Sequence, residues 1–393
     1  MLSYELLQSL VPEPDQTFDR ALAWDLLPSL KALASTPQDP IYHAEGDVWT
    51  HTVMVCDHLT RQKAYHQASP RDRFVLFFAA LLHDVSKPQC TKTEDDGRIT
   101  SKGHSAMGAI DTRVILWYAG VPFDIREEVC QIIEVHQLPF FVLGHDRQGR
   151  RPEFITHQLS WQTRLDCLCA VARADMMGRT SIHQQDAMDN IALFEMMAQE
   201  EACWKQPKAF CDVHTRLHYV RSQGLIPLET PFHQEAGSQV TVMCGLPASG
   251  KNTWVEMHCP GLPVMSYDDA KAELGIKPGD TPGAAVHMVR ERAKALLRIQ
   301  APFVWNATHL TPLMRSKTLD LLHRYHANIN IVYLEQPPEV IFQRNTRRDS
   351  TLSNRKIESM LQGWTIPKPT EAHRVHYEAT GPTATARPSR PRP

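Results

Sequence analysis

The sequence predicts a multidomain chain, an all-α domain followed by an α/β domain built on a parallel sheet. Three observations predict this. Between Asp47 and about Met177, apolar residues recur at three- and four-residue spacing without sustained alternation, which is the helical period. After Gly237, short apolar runs alternate with helical segments, as they do in a parallel sheet covered on both faces. The change falls across residues 224–237, a stretch of prolines and glycines that reads as a linker.

At 393 residues the chain is long enough for two or three domains, each with its own core. The opening residues, Met1-Leu-Ser-Tyr-Glu, lack a basic region followed by an apolar one, and no apolar run approaches the ~20 residues that span a bilayer. A cytoplasmic location with no membrane partner is therefore expected. Nine cysteines are scattered without a framework and read as reduced thiols. The net charge of −2 hides an asymmetry, since residues 237–393 hold 20 Lys/Arg against 13 Asp/Glu and residues 1–236 hold 22 against 31. A basic second part suits a polyanionic substrate, whereas the acidic first part needs a metal to hold one.

In chain order, residues 1–40 give two short helical patterns, around Leu6 and around 22–33, expected to cap the first domain. Helices are expected over 48–64, 72–82, 104–118, 125–135 and 161–177, with loops at 92–102 and 144–152, which makes 41–185 the first domain. Residues 186–236 read as a connector with helices over 188–202 and 212–222. Strands over 239–244, 263–266, 303–308 and 329–334 build the second domain, residues 237–378, and the Pro/Thr/Ala/Arg-rich 379–393 reads as a disordered tail.

His83-Asp84 closes the apolar run 74–82. With 20 histidines in the chain, one such pair is expected by chance, and a second occurs at His145-Asp146 in a polar loop. Context separates the two, because only the first ends a buried helix. His51 lies on the preceding helix, and Asp175 lies on a later one that is otherwise apolar. A buried carboxylate without a partner costs several kcal/mol or is protonated, so Asp175 calls for a cation.

The order His51, His83-Asp84, Asp175 resembles the HD phosphohydrolase superfamily, in which these residue types hold a divalent metal. The segment His43-Ala-Glu-Gly-Asp47-Val-Trp-Thr-His51-Thr resembles its counterpart in the HD domain of bacterial CCA-adding tRNA nucleotidyltransferases, over roughly residues 40–180. That resemblance implies activity on 2′,3′-cyclic phosphates and related esters. It also implies a second metal position at His104 and His136, bridged by Asp84. A mixed imidazole and carboxylate shell suits one or two ions of Mn²⁺, Fe²⁺, Co²⁺, Ni²⁺ or Zn²⁺. Such an ion polarises a phosphoryl oxygen and lowers the pKa of bound water toward ~7. Lys87, one helical turn beyond the pair, is placed to hold the substrate phosphate, with a solvated helix-end lysine as the plain alternative.

In the second half, residues 245–253 read Gly-Leu-Pro-Ala-Ser-Gly-Lys-Asn-Thr between a strand and a helix, the setting of a phosphate-binding loop. Gly245 and Gly250 let backbone N–H groups converge on a polyphosphate, with Ser249, Asn252 and Thr253 beside them, and Lys251 adds a charge at the β and γ positions. ATP or another nucleoside triphosphate with Mg²⁺ is the expected ligand. Asn252 stands where a Ser or Thr hydroxyl normally reaches the magnesium ion, which leaves that contact to Thr253 or a water.

Ligands of a parallel sheet gather beyond the carboxyl ends of its strands. Ser266-Tyr-Asp-Asp-Ala-Lys271 ends one strand, so Asp268 is placed to accept the proton of an attacking hydroxyl, unless it or Asp269 only caps the next helix. Asn306 and Thr308 end another strand, and Arg315 on the helix after it is expected against the substrate. Arg344, Arg347 and Arg348 share one side of a helix, as lid arginines over a triphosphate or as a solvated basic face.

These motifs together resemble the kinase domain of phage and bacterial polynucleotide 5′-kinases over roughly residues 238–378. The resemblance implies that Lys251 grips the β and γ phosphates, Asp268 is the general base, Arg344 and Arg348 form the lid, and Lys271 replaces an arginine that holds the acceptor's phosphate. The whole chain is similar to bacterial bifunctional end-healing enzymes of the HD-type polynucleotide kinase family. RNA or DNA ends as substrate, with a separate ligase as partner, are then implied. Two further readings are an HD phosphohydrolase fused to a small-molecule or nucleotide kinase, and a nucleotide-binding regulator without turnover.

Overall fold

Side-chain caps and placed prolines start the helices of the first half. In α1 (Val48–Thr60) the carboxylate of Asp47 accepts the Thr50 N–H at 2.9 Å. In α2 (Pro70–Leu82) Ser69 accepts the Asp72 N–H while Pro70 takes the first turn, where its missing N–H costs nothing. The computed structural model describes residues 2–142, 150–182, 184–233, 235, 237–277, 280–347 and 352–379. It divides into two compact units, Met1–Ala209 and Phe210–Pro393.

The first unit is helical. α2 is buried from Phe74 through Leu82 and forms its axis, with α1 and α4 (Phe123–Val135) packed on it and α3 (His104–Tyr118) packed on α4. α5 (Pro152–Ser160), α6 (Leu165–Met177) and α7 (Gln184–Glu200) complete the unit. Arg113 and Arg126 both pair with Glu127 inside it. The expected helix over 161–177 starts later, at Leu165, because Arg164 takes an extended backbone and pairs with Asp166 and Asp72. The expected loop over 92–102 holds a short antiparallel hairpin, Lys92–Thr93 with Ile99–Thr100, whose Ile99 N–H is accepted by Asp39. The His145-Asp146 pair and most of the expected loop over 144–152 lie outside the described residues.

The expected connector divides between the units. α7 joins the first, where Glu195 pairs with Arg173 and Asn190 donates to the Phe140 carbonyl. α8 (Val213–Arg221) joins the second, where Arg216 donates to the carbonyls of Ala372 and His373.

The second unit is a five-stranded parallel sheet in the order β2-β3-β1-β4-β5, with β1 (Gln239–Cys244) central. β2 (Val264–Ser266), β3 (Phe303–Asn306), β4 (Asn328–Glu335) and β5 (Arg374–Ala379) flank it in that register. β5 was not among the expected strands; its exposed Arg374 and His376 alternate with the half-buried Val375 and Tyr377, because an edge strand keeps one solvated face. α9 (Lys251–His258) follows β1, α10 (Tyr267–Glu273) follows β2, α11 (Pro312–Arg324) follows β3 and α12 (Pro338–Thr346) follows β4. Met243, Val255, Val304, Val332 and Leu334 form a core cluster that holds α9 against the sheet. The tail expected over 379–393 lies outside the described residues beyond Ala379, which belongs to β5. Among the described residues, no helix is long and apolar enough to cross a membrane.

Arg315, expected against the substrate, is internal instead. It is 2% exposed and bonds to Glu371 at 2.6 and 3.0 Å, to the His309 carbonyl at 3.0 Å and to Thr365. Removing one partner of a buried pair strands the other charge and costs about 3–5 kcal/mol. Arg315→Met is therefore expected to lower the unfolding free energy of the second unit by roughly that amount. Urea denaturation checks it, and a loss smaller than about 1 kcal/mol, typical of a surface pair, contradicts the structural role.

Candidate metal centre and nucleotide site

In the first unit, α2 and α4 each end on a histidine, His83 and His136, and the start of α3 presents His104. α1 contributes His51 and α6 contributes Asp175. With Asp84, these residues are fully or almost fully buried. The expected ligands are thus brought together, in overlapping groups: His51, His83 and Asp84; His83, His136 and Asp175; Asp84, His104 and His136.

Hydrogen bonds fix how each ring faces. Nδ1 lies 2.7 Å from the Ala80 carbonyl in His83, 2.8 Å from that of Ile133 in His136 and 2.7 Å from that of Ser101 in His104. A carbonyl only accepts, so Nδ1 carries the proton and Nε2 is the coordinating atom. His83 Nε2 stands 3.0 Å from Asp84 Oδ2, His104 Nε2 3.2 Å from Asp84 Oδ1, and His136 Nε2 3.9 Å from Asp175 Oδ2. Burial, and then the neighbouring His83, push the His136 pKa down to about 3, so that ring stays neutral and its Nε2 is a bare lone pair. Nε2 of His51, His83 and His136 and Oδ1 of Asp84 are buried without a hydrogen-bond partner. Lone pairs converging in a buried pocket repel one another unless a cation lies among them, and this donor set fits a divalent transition metal. Asp84 turns one oxygen toward His104 and the other toward His51 and His83, the arrangement of a carboxylate shared by two ions.

Two residues of this site were missed in the sequence. Arg179 forks onto Asp175, Nε to Oδ1 at 2.9 Å and Nη2 to Oδ2 at 2.7 Å, so the cation Asp175 calls for is partly an arginine one turn on. Glu45 places Oε1 2.7 Å from His43 Nδ1 and 3.1 Å from His51 Nδ1, while Oε2 accepts the Thr180 N–H at 2.8 Å. Burial opposes a charge on Glu45, but these donors outweigh it and hold the carboxyl well below its usual range. For His51, burial opposes a charge, yet Asp175 and Glu45 on either side raise its pKa, and a metal ion at Nε2 competes with that proton. Lys87 is neither solvated nor reaching outward: 6% exposed, it bonds to Asp84 Oδ2 and to Gln38 Oε1, both at 2.7 Å.

In the second unit, the chain leaves β1 through Gly245 at φ +143°, where a Cβ would come within 2.3 Å of the Leu334 carbonyl oxygen. Gly250, at φ +99°, caps α9. Lys251 Nζ rests on the carbonyls of Gly245 and Leu246, at 3.1 and 2.8 Å. Ser249 is buried with Oγ lacking a hydrogen-bond partner, and Thr253 is exposed. A cavity of about 640 Å³ opens between the loop, Arg344 and Arg347, and extends to Trp254, Gln336 and Glu378. Arg344 Nη1 stands 3.6 Å from where a Cβ on Gly250 would be, beside the loop; Arg348 lies outside the described residues. Trp254 is held by an indole N–H bond to Glu378 at 2.7 Å and stacks on His258.

On the other side of the loop, Ser266, not Asp268 or Asp269, caps α10, by accepting the Asp269 N–H at 3.2 Å. Asp268 is left with a side chain 92% exposed, 3.1 Å from Lys271 Nζ. Asn306 donates to Asn252 Oδ1 at 2.8 Å. β3 ends at Asn306, and Thr308 serves the loop through its backbone, accepting the Gly245 N–H at 2.9 Å.

Fold and sites together define a helical metal-binding domain joined to a P-loop domain of kinase-like build. Residues 48–172 match the HD domain family and residues 240–367 match an AAA domain family, so the chain carries an HD domain followed by a P-loop kinase-like domain. The chain is similar to the "Multifunctional CCA protein" of Laribacter hongkongensis, at 29% identity over 174 residues, 43% of this chain and 39% of the relative. It is also similar to the protein of the same name from Cupriavidus metallidurans, at 33% identity over 129 residues, 32% of this chain and 28% of that one. The chain thus spans about two fifths or less of these relatives. A sugar kinase structure from a Janibacter species aligns with 36% of this chain and 85% of its own, at 19% identity and a TM-score of 0.28.

Outer-shell carboxylates that orient a ligating histidine are worth ~10–100-fold in metal affinity. Glu45→Gln is therefore expected to fold normally while losing Mn²⁺ affinity by about that factor, read by calorimetric titration of the metal-stripped protein. Unchanged affinity would show that Glu45 only ties together the loops on which His43 and Thr180 lie.

Proposed function

We propose that the chain heals broken nucleic-acid ends, with the HD site opening or removing a 2′,3′-cyclic phosphate and the P-loop site phosphorylating a 5′-hydroxyl. The observation that carries this reading is the open acceptor side of the P-loop site. The donor cavity lies toward Trp254 and Glu378, whereas Asp268 stands 92% exposed beside Lys271. A surface base suits the end of a polymer better than a small molecule that must be enclosed. The positive balance of residues 237–393 and the resemblance of residues 43–52 to the HD domain of CCA-adding enzymes point the same way.

At the P-loop site, Asp268 accepts the proton of the attacking hydroxyl as the new O–P bond forms and the β–γ bridge breaks. Lys251 exchanges the loop carbonyls for the β and γ phosphates, and Arg344 neutralises charge on the transferring group. At the HD site, His51, His83, Asp84, His136 and Asp175, with His104, hold the metal. A divalent ion there supplies Lewis acidity toward a phosphoryl oxygen and toward water. Glu45 orients His51, and Lys87 and Arg179 offset the charge of Asp84 and Asp175, which lets both carboxylates stay ionised in a buried site. The healed ends are substrates for a separate ligase.

Asp268→Ala is expected to cut transfer of the γ-phosphate to a 5′-hydroxyl oligonucleotide by ~10²–10⁴-fold and to leave Mn²⁺-dependent hydrolysis of a 2′,3′-cyclic phosphate intact. The double change His83→Ala, Asp84→Ala should do the reverse. Loss of both activities in either variant contradicts independent sites. Phosphorylation of nucleosides but not of oligonucleotides favours the small-molecule reading, and nucleotide binding without turnover favours the regulator.

A further inference from the structure

Position 252 is where the loop departs from its usual pattern, and the structure shows what the departure brings. Asn252 is the second residue of α9, exposed at the mouth of the donor cavity. Its Oδ1 accepts one hydrogen bond, from Asn306 Nδ2 at 2.8 Å, and a carbonyl oxygen has a second lone pair. Asn306 is itself fixed at the end of β3, in register with Met243 of β1 and Ser266 of β2. The brace thus ties the first turn of the nucleotide helix to the sheet.

We propose that Asn252 takes the magnesium contact of the missing hydroxyl through its side-chain carbonyl oxygen, with Asn306 as the positioning residue that holds this oxygen in place. The inference rests on the nucleotide-binding reading of the loop. Magnesium accepts neutral oxygen donors and keeps several waters, so one amide oxygen beside the nucleotide's phosphates fits its demands. Asparagine carries its oxygen one bond farther from the backbone than serine does, and an unbraced amide would swing through several rotamers. Asn306 removes that freedom. Thr253, the other candidate from the sequence, is not needed for the contact.

The test is the coupling between Mg²⁺ and nucleotide, read as the affinity for a non-hydrolysable ATP analogue with and without Mg²⁺ by calorimetry on the full chain. The wild type is expected to bind more tightly with Mg²⁺. Asn252→Leu should lose at least ~10-fold of that enhancement, about 1.4 kcal/mol of coupling, taken relative to its own metal-free affinity. Asn306→Leu should lose part of it, and Asn252→Thr, which restores a hydroxyl, should recover it. Full enhancement in Asn252→Leu overturns the proposal and leaves the contact to Thr253 or a water. Absence of analogue binding in the wild type overturns the nucleotide reading itself, a separate outcome.

Discussion

The interaction on which the helical unit depends is the convergence of histidine lone pairs and two carboxylates in a buried pocket. Three helices are spent on aiming it: α2 and α4 end on His83 and His136, and α3 begins on His104. At each of these three, a local carbonyl accepts a hydrogen bond from Nδ1–H and turns Nε2 inward. Such a cluster opposes folding unless positive charge balances it. The chain supplies part of that charge itself, from Lys87 on Asp84 and Arg179 on Asp175, and the rest is the metal's share.

The second unit solves a different problem. A polyphosphate needs many N–H donors at one place, which the backbone provides only where side chains stay out of the way. Gly245 meets that need against the Leu334 carbonyl, at a point where any Cβ would clash with the central sheet. The sheet is the rigid element, so the two sides of the loop are set by strand order: β2 and β3 lead to Asp268, Lys271 and Asn306 on one side, and β4 and β5 lead to Gln336 and Glu378 on the other.

The two fold classes and the six residues that gather in the buried pocket were legible because their signals are local. A histidine closing an apolar helix, a carboxylate inside one, and a glycine loop between strand and helix can each be read within a dozen residues. What escaped is set by distant contacts. Glu45 matters through Thr180, 135 residues away, and Arg315 reads as a substrate contact until Glu371, 56 residues on, is seen to neutralise it. Arg179 had a weak local signal, an i,i+4 cation after a buried aspartate, that the cluster of histidines outweighed. β5 and the small hairpin were lost because half-exposed strands carry charged residues and resemble loops in composition.

The central claim is that the pocket at the junction of α1, α2, α4 and α6 is built for a cation. Anomalous diffraction from crystals of the intact chain grown with Mn²⁺ tests it most directly. The account predicts one or two anomalous peaks within coordination distance of Nε2 of His51, His83 and His136 and of the Asp84 and Asp175 oxygens. A fully occupied pocket of water or protein donors on those nitrogens, with no anomalous peak, would contradict it.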